Sequence, residues 1–355
     1  MDAELLTNFA KDFYAMRHIT IKDIARELGI SKSTVSRALS ADSQNVSKET
    51  IRKVMDMAER MGYRKNEMAV NLRHRSTKTI GIVLPEAETS FYMKFTSIVQ
   101  HLLQLKGYRL LLAISDEDFL NERSNVELFD KYRVDGLLIS TCHNRANYDF
   151  YESFLKRDIP IVFFDRIIPG LDCSSVRSDD YKAAFFLMEH LIYDGRKRIL
   201  YMSGPDHIST TAERMRAYND TLNKHHISYD PSLVVVTGTN EEDGAEAMKK
   251  FLDNCPPQEM CDALFCFTDL QAVGAKKVLE KRGIAIPQTI SIACMSGTRM
   301  AALVSPAITT VERPMHTMAA EAVRLLITKI DNNTSPLEKV VLPAEMFIRG
   351  STKQK

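Results

Sequence analysis

The sequence predicts a small all-α domain at the N-terminal end, followed by a larger two-lobed α/β domain. Residues 19–39 form two short helical patterns joined by a tight turn, with a third helical pattern after them. From residue 79 onward, short continuous apolar segments alternate with amphipathic stretches. Residues 17–78 carry 14 Lys or Arg against 7 Asp or Glu, although the 355-residue chain has a formal net charge of +1.

The first two helices have complementary apolar faces. In the first helix the apolar face consists of three residues at helical spacing, Ile24, Ala25 and Leu28. Gly29 is placed to end this helix, where a positive φ is often needed, and Ser31 is placed to cap the second. Val35 and Leu39 are four residues apart and face back toward the first helix.

The outward face of the second helix is polar. It carries long cations and short hydroxyls: Lys32, Ser33, Thr34, Ser36 and Arg37. Such side chains suit base edges and phosphates, and a helix-turn-helix places its second helix in the major groove. The alternative is an ordinary helical hairpin with a solvated polar face.

A third helix and the charge argue against the hairpin. Ser47 caps the third helix, which ends at Gly62. Its predicted apolar stripe is Ile51, Val54, Met55, Ala58 and Met61. A basic three-helix domain joined to a larger, slightly acidic domain is the charge asymmetry expected of a DNA-binding domain attached to a sensor.

Two stretches carry a specific resemblance. The segments IKDIARELGISKSTVSRAL and YRKNEMAVNLRHRSTKTIGIVLP resemble the N-terminal region of the LacI/GalR family of bacterial transcription regulators. The similarity continues to about Arg349. It implies a helix-turn-helix domain, a hinge helix and a two-lobed body that resembles periplasmic sugar-binding proteins.

The resemblance also implies domain boundaries. We expect an extension at 1–15, a helix-turn-helix domain at 16–62, a hinge and linker at 63–78, a body at 79–349 and a tail at 350–355. Crossings near Asp165, Ser305 and Pro336 would divide the body into a first lobe of 79–165 and 306–335 and a second lobe of 166–305 and 336–349. Helix 314–331 would return to the first lobe, and strand 339–348 to the second.

The linker contains a short helical pattern from Asn66 to Arg73. A helix of this length is not stable alone in water. The resemblance implies that paired hinge helices fold in the operator's minor groove, where Leu72 wedges into a base step. The alternative is that Leu72 packs against the body. Lys65 and Val70 depart from the family pattern, which puts some phosphate contacts of the hinge in doubt.

The predicted DNA contacts follow from the second helix and the hinge. Lys32, Ser33 and Arg37 would reach base edges, with Arg37 reading a guanine. The residues predicted to contact phosphates are Ser31, Thr34, Ser36 and Asn66. Asn45, in the loop before the third helix, would touch the backbone or a base. The resemblance implies a homodimer on a near-palindromic double-stranded operator, most commonly as a repressor.

The candidate effector-binding residues lie just after predicted strands, where open α/β sheets bind ligands. They are Phe91, Tyr92, Asp165, Arg166, Arg214, Thr268, Asp269 and Ser296. The resemblance implies a carbohydrate or a derivative as the effector. Many sugar-responsive relatives have acids where Ser296 and Gly297 stand, so a phosphorylated or acidic ligand fits Arg166 and Arg214 at least as well.

The sequence lacks the signals of two other classes of protein. A nucleotide-dependent enzyme would need a motif such as GxGxxG, GxxxxGK[ST], HExxH or GxSxG, and none is present. An exported solute-binding protein would need a secretion signal and would have no basic three-helix domain. No apolar run approaches the ~20 residues that span a bilayer. We therefore expect a cytoplasmic regulator that is not an enzyme, with reduced cysteines and no membrane segment, cofactor or metal site.

Overall fold

The computed structural model describes residues 19–39, 46–63, 76–157, 159–332 and 334–353. The chain divides into two compact units, Met1–Arg75 and Ser76–Lys355, which we call the head and the body. The described part of the head contains three helices: α1 (Ile21–Leu28), α2 (Lys32–Ala38) and α3 (Lys48–Arg60). The predicted three-helix arrangement is therefore confirmed.

Local sequence signals fix the ends of the head helices. The Asp23 carboxylate accepts a hydrogen bond from the Thr20 backbone N–H at 3.0 Å, which caps α1. Gly29 ends that helix at φ 62°. The hydroxyls of Ser31 and Ser47 accept the backbone N–H groups of the residues three positions later, at 3.1 and 3.2 Å, as N-caps of α2 and α3.

A small apolar core joins the three helices. Its buried members are Ile24, Ala25, Val35, Ala38, Val54 and Ala58. Ile51 and Met61 pack against it as predicted. Met55 does not, because it is 58% exposed, and Met57 fills the space instead. The predicted stripe was therefore wrong at Met55.

Strands and helices alternate along the body. The strands are β1 (Thr79–Leu84), β2 (Arg109–Ile114), β3 (Gly136–Ile139), β4 (Ile161–Phe164), β5 (Ser174–Ser178), β6 (Ile199–Ser203), β7 (Val234–Val236), β8 (Ala263–Cys266), β9 (Ser291–Cys294), β10 (Thr309–Glu312), β11 (Lys339–Leu342) and β12 (Glu345–Phe347). The helices are α4 (Ser90–Leu105), α5 (Phe119–Lys131), α6 (Tyr148–Leu155), α7 (Asp180–Tyr193), α8 (Ser209–Lys224), α9 (Glu241–Asn254), α10 (Asp269–Lys281), α11 (Arg299–Leu303) and α12 (Met315–Asp331).

The strands form two six-stranded sheets. Lobe 1 contains the sheet ordered β11-β5-β4-β3-β1-β2, and lobe 2 contains the sheet ordered β12-β10-β9-β8-β6-β7. The described pairings are parallel except that between β10 and β12. Apolar clusters cover both faces of each sheet, as continuous apolar strands require. The predicted two-lobed α/β body is confirmed.

The chain changes sheet at points other than those expected. β5 pairs with β4, so lobe 1 runs past Asp165 to Ser178. β10 pairs with β9 in lobe 2, which places that crossing after Glu312 rather than near Ser305. Both strands are rich in Ser and Thr, so they lack the apolar run that marked the other strands.

The C-terminal strand region is also divided differently. Helix α12 packs in lobe 1 as expected. The predicted strand 339–348 is instead two strands. β11 pairs with β5 in lobe 1, and β12 pairs with β10 in lobe 2. The third crossing therefore falls between Leu342 and Glu345, not near Pro336.

Both ends of the predicted body needed correction. The backbone N–H groups of Thr77 and Lys78 donate to the Asp135 carboxylate at 2.7 and 3.0 Å, so residues 76–78 belong to the body rather than to the linker. The predicted tail at 350–355 includes the buried Ser351. Its hydroxyl accepts the Thr309 N–H at 2.8 Å and holds the segment against lobe 2.

The described cysteines are all free thiols. Five are buried and Cys255 is half-buried. Burial raises the pKa of Cys173 and Cys261 to about 12, so these thiols stay protonated and unreactive. Within the described ranges, no helix is long and apolar enough to cross a membrane.

Candidate functional sites: the recognition helix and the interlobe cleft

The outward face of α2 presents the predicted DNA-contact residues. Lys32, Ser33 and Arg37 are exposed on this face. The hydroxyl of Ser31 lies 2.7 Å from that of Ser33 and 2.8 Å from that of Thr34, and Ser36 is half-buried beside them. The surface therefore combines two cations with a cluster of hydroxyls, which suits phosphates and base edges.

Three further predicted DNA contacts lie outside the described residues. They are Asn45, Asn66 and Leu72. The predicted hinge helix, 66–73, also lies outside the described residues. These remain predictions.

Several of the predicted effector residues meet at the seam between the two lobes. The Tyr92 hydroxyl donates to Asp165 Oδ2 at 2.8 Å, and the Ser140 hydroxyl lies 3.3 Å from the same phenol. Burial raises the pKa of Tyr92 well above its usual range, so the phenol remains a donor. Asp165, at the end of β4, thus has one oxygen occupied from lobe 1.

Arg313 holds the other oxygen of Asp165, and sequence reasoning missed this residue. It follows β10, and its guanidinium donates to Asp165 Oδ1 and to the Ser296 hydroxyl. It also stacks on the Phe91 ring, 4.1 Å from the centroid. The missed signal is its position directly after a strand. That strand, TTVE, contains two threonines and lacks the apolar run that marks the other strands.

Arg214 lies at the seam, but all of its hydrogen bonds are to residues of lobe 2. Its Nε and Nη2 donate to Asp180 Oδ1 at 2.8 and 2.6 Å, and its Nη1 donates to the Phe267 carbonyl at 2.8 Å. Only Nη2 reaches toward the seam, at 3.3 Å from the Ser296 hydroxyl. Arg214 and Asp180 are 1% and 2% exposed, so they form a buried ion pair.

Arg166 is likewise paired. Its Nη1 donates to both oxygens of Glu117, at 2.8 and 2.9 Å. The pair lies entirely in lobe 1 and orders the loop after β2 against the end of β4. Arg166 therefore lies near the seam, but Glu117 already balances its charge.

Thr268 and Asp269 do not line the cleft cavity. The Thr268 hydroxyl caps α10 and donates to the Thr239 carbonyl at 2.7 Å. Asp269 Oδ2 accepts the Thr298 N–H and hydroxyl at 2.8 and 2.5 Å. Burial raises the pKa of Asp269, and these two hydrogen bonds oppose that shift. Asp269 therefore holds Thr298 in place, whereas the Thr268 hydroxyl bonds to Thr239 and Gln271.

A cavity of about 340 Å³ lies between the lobes. One wall comes from the first turn of α4 and the start of α12 in lobe 1. The other comes from residues 296–299, Glu312, Arg313 and Arg349 in lobe 2. Of the predicted residues, Phe91 and Ser296 line the cavity, while Tyr92, Asp165 and Arg214 connect to it through Arg313 or Ser296.

No group of three or more potential metal ligands occurs within the described ranges. The His225–His226 pair lies at a helix end, and His225 Nε2 is 3.2 Å from Glu189 Oε1. A separate histidine contact does join the lobes, because the rings of His143 in lobe 1 and His207 in lobe 2 stack with centroids 5.4 Å apart.

A basic helix-turn-helix head followed by a two-lobed α/β body with an interlobe cavity defines the class of ligand-binding transcription regulators. A family model for bacterial regulatory proteins of the lacI family matches residues 20–66, and a periplasmic binding protein-like domain matches residues 188–352. The chain belongs to the LacI family, whose members are DNA-binding transcriptional regulators rather than enzymes.

Relatives match along nearly the whole chain. Catabolite control protein A of Priestia megaterium is 29% identical over 340 residues, covering 95% of this chain and 100% of that protein. The solved complex of the transcriptional regulator CelR with cellobiose is 25% identical, with a TM-score of 0.71, and covers 94% of this chain and 100% of that one. A Lac repressor dimer bound to operator and the anti-inducer ONPF has a TM-score of 0.83 at 18% identity, covering 95% of this chain and 100% of that one, and supports the fold alone.

Proposed function

We propose that this protein is a ligand-responsive repressor that binds a near-palindromic operator as a homodimer in the cytoplasm. The proposal rests on two features that occur together in this chain. The head presents the exposed face of α2, and the body contains the interlobe cavity. A ligand that binds one arrangement of the lobes more tightly than another would shift operator affinity.

The DNA contacts divide by chemistry. Arg37 would pair with a guanine, while Lys32 and Ser33 would reach neighbouring base edges. Ser31, Thr34 and Ser36 would hold phosphates. Asn45, Asn66 and Leu72 would add contacts from the loop and the hinge.

The homodimer is supported by an exposed apolar edge in lobe 1. Strand β2 is the last strand of its sheet, and it leaves Leu111 and Leu112 39% and 42% exposed. Leu105, at the end of α4, is 73% exposed. An uncovered apolar edge strand is a typical association surface. Leu112→Lys is expected to give monomers at concentrations where the native protein sediments as a dimer, whereas Leu337→Lys, elsewhere in lobe 1, leaves the dimer intact.

The effector is proposed to be a sugar or a sugar-derived molecule. CelR is solved with cellobiose, and another relative, from Alkaliphilus metalliredigens, is solved with D-xylulofuranose at 26% identity and a TM-score of 0.68. Phe91 in the cavity wall is an aromatic surface of the kind on which sugar rings stack.

The test is selection of binding sites from random duplex DNA at ~0.15 M salt, where purely electrostatic binding is weak. We expect enrichment of a two-fold symmetric site by the native protein, and weaker enrichment with one relaxed base position by Arg37→Ala. The selection is run with and without a pool of sugars and sugar phosphates, so that a repressor requiring a co-ligand is also detected. Failure to enrich any site under both conditions contradicts the proposal.

A further inference from the structure

The interlobe cavity has an excess of positive charge. Four cationic side chains line it, namely Lys94, Arg299, Arg313 and Arg349, against the single carboxylate of Glu312. That carboxylate is already bound, because Oε1 accepts Arg349 Nη2 at 2.7 Å. Lys94 and Arg299 are exposed, and neither forms an ion pair with any described residue.

Most of the carboxylate oxygens near the cavity already accept hydrogen bonds. Tyr92 and Arg313 take the two oxygens of Asp165, and Thr298 takes Asp269. At the end of β9, where a carboxylate would accept hydroxyls, Ser296 offers only a hydroxyl that already accepts from Arg313. A neutral sugar would therefore find few free acceptors in this cavity.

By contrast, hydrogen-bond donors remain free in the cavity. The hydrogen bonds from Arg313 to Asp165 and Ser296 use two of its five N–H groups. Its stack on Phe91 holds the guanidinium plane against the cavity wall. A phosphate or carboxylate is the ligand group that such a guanidinium binds most strongly, often through two parallel hydrogen bonds.

We propose that the cavity binds a small anionic ligand carrying a phosphate or carboxylate group, recognised by Arg313 together with Arg299 and Lys94. This inference rests on the proposed function, because it names the chemical class of the effector at the same site. The anion would compete with Asp165 for Arg313, the residue that joins β10 of lobe 2 to Asp165 of lobe 1. Binding would thereby act directly on a contact between the lobes.

The first experiment uses inorganic phosphate as the probe, so it does not depend on knowing the whole ligand. The thermal midpoint of the full-length protein is measured in phosphate and in chloride at equal ionic strength. We expect phosphate to raise the midpoint of the native protein. In Lys94→Gln/Arg299→Gln the apparent phosphate affinity is expected to fall about tenfold.

The control removes the same charge elsewhere. Lys249→Gln/Lys281→Gln changes two exposed lysines on α9 and α10 that do not line the cavity. Phosphate also stabilises proteins generally by exclusion from their surface, and that effect would be equal in both variants. No specific phosphate effect in the native protein, or an equal loss in the two double variants, overturns the inference.

A second experiment separates the possible sources of the anion. Calorimetry compares D-glucose and D-galactose with their 6-phosphates and uronic acids. Preference for the phosphates or for the uronic acids supports the inference and identifies the group. A neutral sugar that binds at least as tightly as its anionic partners overturns it. Operator selection is scored separately, so a chain that fails to bind DNA but binds phosphate in the cavity refutes only the proposed function.

Discussion

The recognition surface of the head and the cleft of the body hold their polar side chains in opposite ways. On α2, Lys32 and Arg37 are exposed, and the hydroxyls around them bond within one turn of the chain. In the cleft, Asp165 is buried, its partner Arg313 is half-buried, and the two lie 148 positions apart in sequence. A surface made from one helix can change one residue at a time, whereas a buried network has to keep its charges paired.

The largest expected effect comes from breaking a buried pair. Arg214→Ala leaves the Asp180 carboxylate buried without its cation, and we expect the free energy of unfolding of the body to fall by about 3–5 kcal/mol. Urea unfolding followed by circular dichroism measures this. A loss of effector response in this variant would therefore not by itself assign Arg214 to the ligand.

A more exposed ion pair, between β5 of lobe 1 and α8 of lobe 2, gives the control for that comparison. Arg177 and Glu213 are joined at 2.8 Å but are 26% and 31% exposed. Arg177→Ala should cost less than about 1 kcal/mol, because water screens the pair and solvates the partner that remains. Equal losses in the two variants would show that burial does not set the cost in this body.

The next effect concerns the exposed surface of the head. Arg37→Ala is expected to weaken operator binding by about 1–3 kcal/mol and to relax one base position, while the unfolding free energy changes little. Binding is measured by titration on the selected site and on its single-base variants. Arg26→Ala is the control, since this cation is 70% exposed on α1 and pairs with Asp23 at 3.1 Å. The loss of operator affinity in Arg26→Ala should be small and equal across sequences. A base-specific loss in this variant would contradict the assignment of base recognition to α2.

The same difference explains how much of each region could be predicted from the sequence. The head was predictable because its turn glycine, caps and polar face lie within residues 19–39. Phe91, Asp165 and Ser296 could be placed at the seam because they follow strands or begin a helix at the strands' carboxyl ends. Their partners could not be predicted, because spacing along the chain carries no information about a contact such as Arg313 with Asp165.

Polar strands account for the errors in the lobe boundaries. Four of the five residues of β5 are buried although three are serines, and the Ser174 hydroxyl accepts the Glu338 N–H at 3.2 Å. A strand whose hydroxyls are satisfied by neighbouring strands can be central without being apolar. Thr268 and Asp269 lie away from the cavity wall for a related reason, since a polar residue after a strand can equally cap the next helix.

A smaller effect distinguishes a cap from a DNA contact within the head. Ser31→Ala and Ser47→Ala each remove a hydroxyl that accepts a backbone N–H three residues later, so both should lower head stability by about 1 kcal/mol. Only Ser31 belongs to the hydroxyl cluster of α2. Operator affinity, measured at a temperature where both variants are folded, should therefore fall further for Ser31→Ala. Equal operator affinities would mean that Ser31 acts only as a cap.

The smallest expected effect is a pH dependence of the contact between the lobes. The His207 ring stacks on His143 across the seam, and the Asn144 N–H donates to the His207 carbonyl at 2.8 Å. Burial lowers the pKa of His207, and Arg166 and His143 lower it further, while Glu117 and Asp206 act in the opposite direction. Acidification through the ordinary histidine range is therefore expected to disfavour the arrangement in which the two rings stack, because His207 takes up a proton more readily when the lobes separate.

Small-angle scattering at pH 7.5 and 5.5 measures this opening as an increase in the radius of gyration. His207→Asn keeps a polar side chain but cannot titrate, so its radius should change less over the same range. His226→Asn, at the end of α8, controls for the loss of a histidine that does not contact lobe 1. If the native protein and His207→Asn respond equally, the stacked pair does not sense pH, and the Asp165–Arg313 contact is then the better candidate for controlling how the lobes meet.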